Sequence, residues 1–300
     1  MTIDAYPAPS PFEVDVAGVP MSGLSSEVER PRAVIVALHG GATTPEYFDA
    51  PGYPHQSLLR VGATLGFTVV APDRPGYGVS RPMLGDDLSV SDQLDFAFGA
   101  IEQFLDGRER GAGIFMLGHS QGSVLTAKMA ADPRAVDVLG IEIAGTGVRY
   151  HALARERLDL PVTHRTSSST LRNLLWEPTR LYPNRRRLVS SAPRFEGADA
   201  KLWPADFTAL APRITVPVRI SLGDHEFWWQ SGTAELTALG ELFTSSPRVV
   251  VDEMFESGHN LSLGTSALAY HLKVLSFAEE CVLMRERSII EHYETETEDA

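Results

Sequence analysis

Gly118-His119-Ser120-Gln121-Gly122 is the stretch on which the fold turns. It follows a short apolar run, Ile114 to Leu117, and precedes a helix-like run, Ser123 to Ala131. A serine in the pattern G-x-S-x-G, between a strand and a helix, marks a sharp turn that lifts its hydroxyl out of the backbone. The flanking positions must be small because strand and helix pass close to each other there. The pattern alone recurs by chance. The elements on either side, and the partners found further along the chain, set this copy apart.

Outward from the turn, strand and helix patterns alternate. Toward the N-terminus, Phe12 to Val16 alternates as a strand, and a second arm is expected near Val19 to Leu24. Ala33 to Leu38 is a continuous apolar run, as expected of a buried parallel strand, and it ends in His39-Gly40-Gly41. A short helix is expected over Ser57 to Leu65, then a buried strand over Phe67 to Ala71, stopped by Pro72-Asp73. Leu94, Phe98, Ile101 and Leu105 are spaced as on one helix face over Ser91 to Leu105. Toward the C-terminus, Val138 to Ala144 and Val216 to Leu222 read as strands. A helix follows near Thr233 to Phe243, then a strand over Arg248 to Asp252 and an amphipathic helix over Thr265 to Met284. The proline-rich residues 1–11 and the carboxylate-rich tail from Glu291 to Ala300 are expected to be loosely ordered. This alternation predicts an α/β protein with a mostly parallel sheet. Ligands in such sheets bind beyond the carboxyl ends of the strands, where His39-Gly40-Gly41, Asp73 and Ser120 all fall.

Composition sets the remaining bounds. Three hundred residues suit one α/β core with an insertion. The net charge of −13 argues against nucleic-acid binding, which wants a basic face. A single cysteine, Cys281, excludes an intrachain disulfide and fits a reducing compartment; its apolar helical surroundings suggest a buried small hydrophobe. The first residues show no basic and apolar signal pattern, and no run is long enough to span a membrane, so a cytoplasmic protein without membrane partners is expected. There is no phosphate loop, no Cys/His ligand spacing and no H-E-x-x-H, so neither metal nor cofactor is expected. A homo-oligomer is compatible with this composition.

Four signatures stand in order: His39-Gly40-Gly41; Asp73-Arg74-Pro75-Gly76-Tyr77-Gly78-Val79-Ser80, of the form D-x-P-G-x-G-x-S; the turn at Ser120; and Ser257-Gly258-His259-Asn260 after the last strand. With these the chain resembles the α/β-hydrolase superfamily over most of residues 12–284. The resemblance implies the α/β-hydrolase fold, a mostly parallel central sheet flanked by helices. The strand–helix alternation itself breaks over residues 149–212, with helical pieces at Ala152–Leu158 and Ser168–Trp176, so this segment is read as a helical cap inserted in a core of residues 1–148 and 213–300. The resemblance further implies Ser120 as nucleophile and His259 as general base. Either Glu226 or Asp224, in Gly223-Asp224-His225-Glu226, would orient that base. Glu226 is favoured because sequences resembling this region carry the acid three residues after the glycine. The backbone N–H groups of Gly41 and Gln121 would hold an oxyanion, with His39 bracing the loop. Family members with aspartate at the turn open epoxides or carbon–halogen bonds; a serine favours esters, thioesters, amides or lactones. The expected protein is therefore a serine hydrolase, of the carboxylesterase or thioesterase kind. The alternatives are an acyltransferase or cyclase using the same acyl-enzyme, or a binding protein that kept the fold without catalysis.

The segment 149–212 holds ten arginines and one lysine against six acidic residues, a balance of +5 in a chain of −13. This is read either as salt bridges to an acidic body or as a collar, densest at Arg185-Arg186-Arg187, for an anionic or carrier-bound small-molecule acyl substrate. Apolar residues here, Trp176 and Trp203 among them, and Phe227-Trp228-Trp229 after the acid strand are candidates to line an acyl pocket. Trp228 and Trp176 are the substrate-binding candidates.

Overall fold

A computed structural model describes residues 7–50, 52–158, 168–182 and 191–298 of the chain. The centre is an eight-stranded sheet in the order β1-β2-β4-β3-β5-β6-β7-β8. The strands are β1 (Ser10–Val16), β2 (Val19–Ser26), β3 (Val34–Leu38), β4 (Thr68–Pro72), β5 (Ile114–His119), β6 (Val138–Ala144), β7 (Val218–His225) and β8 (Val249–Gly258). The β1–β2 hairpin turns through Ala17 and Gly18, both with positive φ, which suits the twist of the strands it joins. β2 meets β4 antiparallel, and every pairing from β4 onward is parallel.

The helices are α1 (Leu58–Thr64), α2 (Arg81–Leu84), α3 (Val90–Leu105), α4 (Gln121–Ala130), α5 (Ala152–Leu158), α6 (Ser168–Leu175), α7 (Phe195–Leu210), α8 (Thr233–Gly240) and α9 (Ala267–Glu298). Side-chain alternation along the strands divides the core. Val34, Val36, Leu38, Ile114 and Met116 face a cluster shared with α3, α4, α7 and α8. Ala33, Ile35, Ala37, Phe115 and Leu117 face one shared with α1 and α9. Both faces of the central parallel strands β3 and β5 are thus buried, which is why these strands read as unbroken apolar runs.

Four expectations need correction. β1 begins at Ser10, inside the proline-rich start, because Pro11 lies on an edge strand that tolerates a missing donor. β8 runs six residues beyond Asp252, to Gly258; as an edge strand it is half solvated, so Asp252, Glu253 and Glu256 disguise it as a loop. α9 stays helical to Glu298, since neither glycine nor proline interrupts residues 267–300. α7 has no counterpart in the sequence reading, because Pro193, Gly197 and Pro204 read as breakers. Pro204 lies inside it and would orphan the carbonyl of Ala200, but the Tyr150 hydroxyl donates to that carbonyl. α7 also buries Trp203 and Phe207, stacked with centroids 4.8 Å apart, in the cluster shared with the sheet. Trp203 donates to the Thr146 hydroxyl at 2.9 Å, so it packs the core rather than lining a pocket. Cys281 is buried as expected, and burial pushes its thiol up to about 12.

Candidate active site

β5 ends at His119, α4 begins at Gln121, and Ser120 between them has φ +52°, ψ −114°. A side chain is strained in this region, and the surroundings hold it there. The Ser120 N–H donates to Ala144 O at 2.8 Å, and Ser123 Oγ donates to Gly118 O at 2.7 Å. The glycines are explained by contact: a Cβ on Gly122 would sit 1.9 Å from Leu38 O, and one on Gly118 would sit 2.5 Å from Gly122 O. Both obstacles are backbone and cannot swing away.

His259 lies on the loop after β8, 2% exposed, and its Nδ1 is 3.0 and 2.9 Å from the two carboxylate oxygens of Glu226. Asp224 faces elsewhere; it accepts the N–H groups of Glu256 and Ser257, both at 2.9 Å, and ties off the bulge between β7 and β8. Glu226 Oε1 also accepts the Trp228 N–H at 2.7 Å. With Nδ1 engaged, Nε2 is the ring nitrogen left for chemistry. An ideal Cβ on Gly145, next to the carbonyl that anchors Ser120, would lie 3.5 Å from His259 Cε1. The ends of β5, β7 and β8 carry Ser120, Glu226 and His259, and Gly145 at the end of β6 lies between the serine turn and the histidine ring.

The loop after β3 lies over Ser120. A Cβ on Gly40 would come within 3.4 Å of Ser120 Cβ, and one on Gly41 within 3.3 Å of Gln121 Cγ. Among the described residues no acceptor takes the Gly41 N–H, and Gln121 is the first residue of α4, whose N–H has no intrahelical partner. His39 is fully buried and braces the loop: Nδ1–H donates to Gly40 O at 2.9 Å, and Nε2 accepts the Arg74 N–H at 3.2 Å. Burial, then the Arg74 charge, hold its pKa well below the usual histidine value.

The tryptophans are split. Trp228 lies with its ring centroid 6.2 Å from that of His259, whereas Trp176 is partly buried, edge-on to Tyr182 at 5.3 Å. Tyr182 accepts the Asn260 N–H at 3.1 Å, and Asn260 Nδ2 donates to Leu175 O at 2.7 Å, so this segment is fastened to the histidine loop. Of the described arginines in 149–212, Arg149 pairs with Glu235, Arg180 with Glu256 and Arg194 with Asp87. Arg185-Arg186-Arg187 lies outside the described residues.

Three residues near the site had no role in the sequence reading. His119, in the second position of the pentapeptide, stacks on Tyr47 at 4.5 Å, and its Nε2 donates to His259 O at 2.8 Å. Arg74 and Glu196 form a pair at 2.5 Å, with side chains only 3% and 6% exposed. Arg74 sits inside a motif that could have flagged it. Glu196 carries no local signal, being one acid in an arginine-rich segment.

A strained serine turn thus stands at the carboxyl end of a parallel sheet, with a histidine–carboxylate pair beside it. The family model described as alpha/beta hydrolase family matches residues 35–269, and the chain belongs to that family. It is 26% identical over 135 residues to phospholipase YtpA of Bacillus subtilis (strain 168), a match covering 45% of this chain; the chain spans about half the length of that relative. Among solved structures it is similar to a thermostable carboxyl esterase from Bacillus coagulans (TM-score 0.62, 15% identity, 92% of this chain and 99% of that one). It is also similar to the thioesterase domain from the curacin biosynthetic pathway (TM-score 0.59, 20% identity, 90% and 100%). No helix among the described residues is long and apolar enough to cross a membrane.

Proposed function

We propose that this protein is a serine hydrolase that cleaves an ester, thioester or related acyl bond through an acyl-enzyme on Ser120. The observation that carries the reading is the Glu226–His259 pair beside the strained Ser120 turn. His259 Nε2 takes the proton from Ser120 Oγ as it attacks the acyl carbon, and Glu226 orients the ring and stabilises its charged form. The N–H groups of Gly41 and Gln121 receive the oxyanion. The tetrahedral intermediate collapses as His259 passes its proton to the leaving group. Water, deprotonated by His259, then releases the acid and restores Ser120. Trp228 beside His259 forms one wall for the acyl group, and Trp176 lines its approach. A cytoplasmic location goes with this reading, supported by the lone buried cysteine.

The test is turnover of p-nitrophenyl esters and acyl thioesters of graded length by wild type and Ser120→Ala. Loss of a triad nucleophile costs on the order of 10⁶ in kcat in well-studied cases. Ser120→Ala should fold normally and lose essentially all turnover. A variant that retains a tenth of the wild-type rate on any genuine substrate rules the mechanism out.

A further inference from the structure

We infer that Glu196, on α7 of the inserted segment, is a positioning residue that sets the direction of the Gly41 N–H. This rests on the proposed function, in which that N–H meets the oxyanion. The loop Gly40-Gly41-Ala42 is held from both ends by groups that converge on one carboxylate oxygen. On one side, Arg74 Nη2 donates to Gly40 O at 3.1 Å and to Glu196 Oε1 at 2.5 Å. On the other, the Tyr77 hydroxyl accepts the Ala42 N–H at 3.0 Å and donates to the same Oε1 at 2.8 Å.

The geometry matters because a peptide unit is planar. Gly40 C=O and Gly41 N–H belong to one such unit, so fixing the carbonyl fixes where the N–H points. Thr43 Oγ1 and His39 Nδ1 add donors to the same carbonyl, at 3.0 and 2.9 Å. Ala42, just beyond, has φ +54°, a strained conformation for a residue with a Cβ. The Tyr77 hydroxyl takes its N–H in that conformation. Glu196 Oε2 lies against Gly41 itself, 2.9 Å from where a Cβ would be, so a larger residue there would have to displace that carboxylate.

Burial makes the clamp stiff. Arg74, Tyr77 and Glu196 are 3%, 1% and 5% exposed. Burial works against the charge on Arg74, yet the charges and hydrogen bonds of Glu196 and Tyr77 together outweigh it, and the net shift of the guanidinium is upward. The base of α7 is also fastened to the segment between α2 and α3: Phe195 N–H donates to Asp86 O, and Arg194 pairs with Asp87. The inserted segment thus supplies the anchor that makes the oxyanion loop competent.

An interaction that acts only on the developing oxyanion appears in kcat, not in KM. Glu196→Gln keeps the shape and removes the charge, and Tyr77→Phe removes the second arm of the clamp. Both are compared with wild type for kcat and KM on a neutral p-nitrophenyl ester. Each is also measured for the Ki of a trifluoromethyl ketone, whose serine adduct carries the same oxyanion. Glu196→Gln should lower kcat about 10- to 100-fold with KM within threefold and raise Ki in parallel, since a lost oxyanion donor costs roughly 10²–10³ and a misaimed one less. Tyr77→Phe should show the same signature, about 3- to 10-fold. A folded Glu196→Gln with wild-type kcat and Ki overturns the inference. If that variant does not fold, unchanged kcat and Ki in Tyr77→Phe overturn it instead. Should Ser120→Ala stay active, or the ketone fail to inhibit wild type, the underlying mechanism fails and the inference falls with it.

Discussion

Asp224 and Glu226 are two residues apart at one strand end, yet they face different partners. Asp224 takes two backbone N–H groups of the β8 bulge, and Glu226 takes the His259 ring. The proposed mechanism needs a charge only at the second. Glu226→Gln should lower kcat by roughly 10²–10⁴, the scale seen when a triad acid becomes its amide. Asp224→Asn keeps an acceptor for the bulge and should change kcat less than about fivefold, with a cost of about 1 kcal/mol in stability. Steady-state rates of the two variants, measured well below their melting temperatures, decide the matter. A larger loss at Asp224 would transfer the role to it. Ser120, His259 and the Gly41 loop stand out in the sequence because each lies in a short glycine-containing motif, and around Ser120 those glycines answer to backbone contact. Glu196 was not visible, because its role comes from three-dimensional convergence on Arg74 and Tyr77, which lie more than a hundred residues earlier.

Among the elements, the parallel strands were the most legible. β3 and β5 are buried on both faces, so their apolar runs have no other reading. α3 was legible by its spacing, and its start is fixed by a capping box in which Ser89 and Asp92 each accept from the other's N–H. β8 and α7 were harder for opposite reasons. β8 alternates because one face meets solvent, and its acidic residues mimic a loop. α7 contains a proline whose cost is met by a tyrosine fifty residues away, and no local propensity reports that. Arg219, buried within β7, is a further case. It is held by Glu142 at 3.0 Å on β6 and by Asp252 on β8, so its burial depends on strands paired by the fold.

Across the whole molecule, buried histidines link stability to pH. His271 on α9 donates through Nδ1 to Gln56 O at 2.7 Å and accepts from Ser262 Oγ at 2.9 Å, which suits the neutral ring. Burial lowers its pKa to about 4. The unfolded chain, near 6.5, binds a proton first as pH falls, so this contribution is full above pH 6.5 and is lost between 6.5 and 4. Burial depresses His39 and His119 in the same direction. Asp73 and Glu142, raised by burial, work oppositely, favouring the folded state as pH falls. Comparing wild type with His271→Asn isolates one group. In urea titrations the stability gap between them should narrow by roughly 2 kcal/mol from pH 6.5 to pH 5. A gap independent of pH would show that His271 is not held neutral.

The central claim is that the fold activates Ser120 as a nucleophile, and covalent labelling tests it most directly. The protein is treated with a fluorophosphonate at pH 7.5, digested and mapped by mass spectrometry. One adduct per chain is expected, on Ser120, forming rapidly in wild type, slowly in Glu226→Gln and not at all in Ser120→Ala. Ester turnover with no adduct on Ser120, or a stoichiometric adduct on another residue, would contradict the account.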